Sequence, residues 1–118
     1  MLMLHPGLAK KVTIYLNEDT AASSDFLYNE IFSFLLGRGV SGANLLRPDA
    51  SFGSHHRVHE AGSGPGIAEH LPVRIEFVES VQKVEELMPD LCDLMSDGMI
   101  EAHDTYVYKA VARKGLSA

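Results

Sequence analysis

The chain has 118 residues, 46% hydrophobic and 22% charged, with ten basic against sixteen acidic residues and a formal charge of −6. That length suits one domain, residues 1–118, with a sizeable core, and the acidic balance argues against general nucleic-acid binding, which needs a basic footprint. No apolar run is long enough to span a bilayer, and Met1-Leu2-Met3-Leu4 is too short and lacks the basic start of a signal peptide, so a cytoplasmic location is the default expectation.

The first strand-like run is 11–16. Val12, Ile14 and Leu16 share one face, and Thr13 and Tyr15 share the other. Asn17-Glu18-Asp19 ends it with turn-favouring residues. A helix is predicted over 25–36, with Ser23 or Ser24 as its cap and Asp25 suited to its positive end. Leu27, Ile31, Phe34 and Leu35 recur at helical spacing and form its core face. Gly37 and Gly39 supply the stop.

A second strand is predicted over 42–47. Pro48 interrupts it or places it on an edge, and Ala50-Ser51-Phe52-Gly53 continues it beyond a bulge. A long loop follows, 54–70 at its most mobile. In the third strand, 73–78, Val73, Ile75 and Phe77 alternate with Arg74, Glu76 and Val78. Ser80 caps a second helix, 81–95, whose apolar stripe is Val81, Val84, Leu87, Met88, Leu91, Leu94 and Met95. Pro89 inside it predicts a kink or a split. Cys92, the lone cysteine, is expected on the apolar side as a small buried hydrophobe. Asp97-Gly98 makes the turn into a last strand, 100 to about 111. The order is β-α-β-β-α-β, the ferredoxin-like α+β arrangement, predicting a four-stranded antiparallel sheet with two helices on one face. The other face, with Tyr15, Val78 and one of Tyr106 or Tyr108, is expected to be partly apolar, which argues for an oligomer with packed sheets.

The long loop holds Ala61-Gly62-Ser63-Gly64-Pro65-Gly66, which has almost nothing to bury. His55, His56, His59 and His70 surround it. Imidazole is a common transition-metal ligand, and His55 and His59 converge if the backbone turns helically there, with Glu60 or Glu69 as a further ligand. His55, His56 and His59 are thus candidate ligands for a divalent metal, set against solvated histidines as the plainer alternative. The chain has no GxxxxGK[ST] loop, no GxGxxG after a strand and no nucleophile motif. No acid, base and nucleophile can be assigned to one site, so an enzyme is not expected.

Several segments, taken in order, resemble a known family. They are Thr13-Ile14-Tyr15-Leu16 with Glu18, Leu27-Tyr28, Gly39-Val40-Ser41-Gly42-Ala43, Leu46-Arg47, Phe52-Gly53 with His59, Leu71-Pro72-Val73-Arg74-Ile75-Glu76-Phe77-Val78 and Lys83-Val84-Glu85. In that order and spacing, over about residues 10–111, they resemble domain-of-unknown-function family 190, the PII-like proteins.

The resemblance implies a ferredoxin-like subunit in a homotrimer. It implies a small effector, often an adenine nucleotide, in clefts between subunits, and a loop between the second and third strands that regulates a membrane transporter or channel or an enzyme. Ser54 to His70 matches that loop by position, and it lacks a tyrosine for uridylylation. Ser96-Asp97-Gly98-Met99-Ile100 is similar to the PII turn that contacts nucleotide phosphates, so Asp97, Gly98 and Met99 become candidate ligand residues. Met99 stands where PII proteins usually carry a lysine, a departure that bears on ATP binding. From the residues themselves, Arg47 beside the loop, Arg74 opposite the core face, and Lys109 and Arg113 late in the chain, within reach of a neighbouring subunit, are candidate phosphate-binding cations, since guanidinium forks suit phosphate oxygens. Surface ion pairs are the competing reading for each. A metal-responsive trimer resembling the copper-tolerance proteins is the alternative function.

Overall fold

The chain runs β1 (Gly7–Asn17), α1 (Leu27–Gly37), β2 (Asn44–Leu46), β3 (Ala50–Ser51), β4 (His59–Glu60), β5 (Pro72–Ser80), α2 (Val81–Leu94) and β6 (Met99–Val107). The computed structural model describes residues 4–17, 20–22, 25–47, 50–51, 59–60 and 72–111. Four strands form one sheet in the order β2-β5-β1-β6, with every pairing antiparallel. Setting aside the short β3–β4 pair, this is the predicted ferredoxin-like fold.

Alternation in the central strands decides which face is wrapped. Val12 pairs with Phe77, Ile14 with Ile75 and Leu16 with Val73, so six apolar side chains project to one side. Leu27, Ile31 and Leu35 of α1 and Val84, Leu87 and Leu91 of α2 cover them in one buried cluster. At roughly 25 cal/mol per Å² of apolar surface removed from water, this cluster is the main stabilising contact of the fold.

The helix ends follow from local chemistry. Ser80 caps α2 as predicted, its hydroxyl accepting from the Lys83 N–H at 3.2 Å. The α1 cap differs. Phe26 occupies it with no side-chain hydrogen bond, while Asp25 Oδ1 accepts from the Phe26 N–H at 2.7 Å. Ser23 and Ser24 lie outside the described residues. At its C-terminus the Gly39 N–H donates to Leu36 O and the Val40 N–H to Leu35 O, with Gly39 at φ +77°. That pair of bonds is the Schellman stop, and Gly39, not Gly37, supplies the left-handed residue.

Several expectations are corrected. Pro89 does not split α2, which is continuous from Val81 to Leu94. Pro89 and Glu85 are both exposed, so the carbonyl that loses its partner is on the water side. Cys92 is exposed rather than buried. It lies about 100° around the helix from Leu91, off the stripe that Val84, Leu87 and Leu91 define. Phe34, by contrast, packs against the core cluster as expected, half-buried, with the Arg38 guanidinium 5.0 Å from its ring centre. The last strand ends at Val107, short of the predicted 111. Ala50 and Ser51 do not continue β2; they pair with Glu60 and His59 as a separate two-stranded sheet. His59 is therefore in extended backbone, so the helical turn on which its convergence with His55 was conditional is not present at that residue, and the segment predicted as mobile contains a short strand. His55, His56 and His70 lie outside the described residues.

The uncovered face of the sheet is partly apolar, as expected, with Ala9, Leu46, Met99 and Val107 on it beside a set of charged residues. Register puts Lys11, Thr13, Tyr15, Arg74, Glu76, Val78, Glu101 and His103 there. Tyr15 and Val78 are on this face as expected. Tyr106 is not, because it pairs with Leu8, on the helix side. Tyr106 and Tyr108 instead lie ring to ring, 5.2 Å apart, at the far end of β6. Among the described residues no helix is long and apolar enough to cross a membrane.

Candidate functional site

The site is assembled at the end of the sheet where β1 finishes, β5 begins and α2 turns into β6. Cross-strand pairing aligns Leu46, Arg74, Tyr15 and Met99 in one row across all four strands, on the face without helices. Residues in such a row have their Cβ atoms about 5 Å apart. Arg47 follows Leu46 directly at the end of β2 and is exposed. Asp97 and Gly98 close the row at its β6 end.

The Asp97-Gly98 turn is a tight piece of backbone. Gly98 has φ +94°, a conformation that disfavours any side chain. A Cβ placed there would run into the Tyr15 carbonyl oxygen and crowd the Met95 methyl group. Asp97 Oδ1 accepts from the Gly98 N–H at 2.8 Å. The turn therefore packs directly on the end of β1, with one of its own amides already satisfied by its own carboxylate.

Charge is laid out in a second row one step away. Asn44, Glu76, Thr13 and Glu101 are paired across the four strands. Thr13 is buried without any helix above it, since Glu76 and Glu101 flank it and Tyr15 lies two residues along. Glu76 holds two cations, Lys11 Nζ at 3.5 Å and Arg74 Nε at 3.2 Å. The Arg74 Nε atom is buried, and its contact with Glu76 is an ion pair without hydrogen-bond geometry. Tyr15 donates its hydroxyl to Glu101 Oε1 at 2.7 Å. That bond is the main reason the phenol pKa is raised above 10.0, with burial and the Glu101 charge adding to it.

The structure thus brings Arg47, Arg74, Asp97, Gly98 and Met99 to one end of the sheet. Lys109 is elsewhere. It follows the end of β6, and β6 runs away from the Asp97-Gly98 turn, so Lys109 lies at the opposite end of the same subunit. Arg113 falls outside the described residues. Tyr15, Glu76 and Glu101 are site residues that sequence reasoning missed. Alternation put Tyr15 and Glu76 on the open face, but only the strand register brings Glu101 under the Tyr15 hydroxyl.

A hollow of about 620 Å³ lies at the other end, among the start of β1, the end of α1 and the start of α2. Its charged lining is occupied with structure. Glu79, 2% exposed, accepts from the Ser41 N–H at 2.6 Å; Lys83 Nζ donates to Gly39 O at 2.7 Å; Arg38 pairs with Asp90 at 2.8 Å. These bonds hold the connection from α1 into β2 and explain why a carboxylate is buried there. Among the described residues no group of three or more His, Cys, Asp or Glu side chains could hold a metal ion.

The DUF190 family model, described as an uncharacterized ACR, matches residues 9–107. No curated protein matches the chain. Solved structures of similar fold include CPII, a nitrogen regulatory PII-like protein from Thiomonas intermedia K12 bound to ADP, AMP and bicarbonate. It is 19% identical with a TM-score of 0.62, over 88% of this chain and 99% of that one. A second, a candidate PII-like signalling protein from Thermus thermophilus, is 15% identical with a TM-score of 0.64, over 89% of this chain and 94% of that one. At these identities the likeness is one of fold. The family model runs from Ala9 in β1 to the end of β6, taking in both helices, and the chain belongs to the DUF190 family.

Proposed function

We propose that this chain is a PII-like regulatory protein rather than an enzyme. Three subunits form clefts that bind a small effector, an adenine nucleotide, and the segment 54–70 presents or hides a surface for a partner such as a transporter, a channel or an enzyme. The observation that carries this reading is the Leu46–Arg74–Tyr15–Met99 row. It spans every strand of the sheet, ends on the Asp97-Gly98 turn, and lies at the end where β2 leaves and β5 begins, so it borders the segment between them. The bound ADP and AMP of the Thiomonas protein support the ligand class. Lys109 would reach such a cleft only from a neighbouring subunit, and the same is proposed of Arg113. Regulation requires that the effector bind one loop state more tightly than the other.

The test pairs sedimentation mass with calorimetric titration of AMP, ADP and ATP. Saturable binding near one site per subunit, on a species three times the monomer mass and weakened in an Arg47→Ala, Arg74→Ala variant, supports the proposal. A monomeric mass, or unchanged binding in the double variant, sinks the cleft assignment.

A further inference from the structure

The same row carries a statement about which nucleotide it accepts. Resting on the reading of this end of the sheet as the effector site, we propose that it selects a nucleoside monophosphate over the corresponding di- and triphosphates. The basis is the charge around the row. Arg74 is the cation within it, and one guanidinium fork matches one phosphate. Met99, two strands away and thus about 10 Å across the sheet, is a half-exposed thioether with no charge to offer. The groups beside it are acidic: Asp97 in the turn, and Glu101 two residues along β6 on the same face. Glu76 draws on Arg74 and Lys11 together.

A phosphate chain that starts on Arg74 and extends across β1 toward β6 moves from a cation onto carboxylates. The Gly98 amide, which is the donor a turn of this shape would point at an anion, is already donating to Asp97. The left-handed glycine cannot be moved to compensate, because it sits against the Tyr15 carbonyl. Arg47 lies at the β2 end, on the other side of Arg74, so along the path toward β6 the first phosphate has a partner and each further phosphate meets charge of its own sign from this subunit.

The test is calorimetric titration of the full chain with AMP, ADP and ATP at low ionic strength, with a chelator to remove divalent cations. Affinity is expected to fall about tenfold for each phosphate after the first, which is roughly 1.4 kcal/mol per phosphate. Met99→Lys is expected to raise the ratio of ATP affinity to AMP affinity at least tenfold. An Asp97→Asn, Glu101→Gln variant, which keeps the hydrogen-bonding shapes and removes two charges, is expected to shift the ATP-to-AMP ratio in the same direction. Melting curves of both variants check that the fold is retained. ATP binding more tightly than AMP in the unaltered protein, or a ratio that neither variant moves, overturns the selectivity. Absence of saturable binding by all three nucleotides overturns instead the nucleotide reading on which it rests.

Discussion

Two glycines separated by sixty-one positions offer a paired experiment on how this fold is built. In Gly98→Ala the added Cβ meets the Tyr15 carbonyl, and the backbone is held at φ +94°. The left-handed conformation costs an alanine about 1–2 kcal/mol. Overpacking adds roughly 1–3 kcal/mol, toward the upper end because the obstacle is backbone of a central strand and not a side chain that can rotate away. A total near 3 kcal/mol corresponds to a melting temperature lower by about 10–15 °C for a chain this size. In Gly37→Ala the Cβ meets nothing within 4 Å, and Gly37 is the last residue of α1. Alanine there stabilises by about 0.5–1 kcal/mol, since glycine loses more backbone freedom on entering a helix. Thermal and urea denaturation followed by circular dichroism, at one fixed protomer concentration because assembly shifts apparent stability, reads both. A Gly98→Ala loss under about 1 kcal/mol, or a Gly37→Ala that destabilises, would refute the reasoning.

Glu79→Ala removes the buried acceptor of the Ser41 N–H and should cost about 1–3 kcal/mol in urea denaturation, while Glu79→Gln, which keeps an acceptor oxygen, should lose less. Ser80→Ala removes the α2 cap and should cost about 0.5–2 kcal/mol by the same assay. The Tyr15 phenol, raised above 10.0 in the folded chain, keeps its proton to higher pH than in the unfolded chain. Its stabilising contribution is present below pH 10.0 and declines as pH rises through the folded value. The unaltered protein should therefore lose stability above pH 10.0 more steeply than Tyr15→Phe, and parallel curves for the two would count against the Tyr15–Glu101 bond.

Element order and the wrapped face were legible in the sequence because each rests on local periodicity. Val12, Ile14 and Leu16 against Thr13 and Tyr15, and Val84, Leu87 and Leu91 at helical spacing, each state a burial direction without reference to any other segment. Ser80 as a cap was legible for the same reason. The resemblance to PII-like proteins and the Asp97-Gly98 turn also came from the order of short segments along the chain.

What sequence could not supply were relations between segments far apart in the chain. Tyr15 and Glu101 are 86 residues apart, and their hydrogen bond depends on the β1–β6 register that pairs Thr13 with Glu101. Lys109 was expected to reach a neighbouring subunit, and only the direction of β6 puts it at the opposite end of its own sheet from Arg74. Cys92 was misjudged because an apolar stripe narrower than half a helix leaves flanking positions in water, and the width of the stripe is set by what packs on it. Composition, periodicity and turn chemistry act over a few residues and determined the elements. Register and strand direction act between elements, and they decided which charges meet at the end of the sheet.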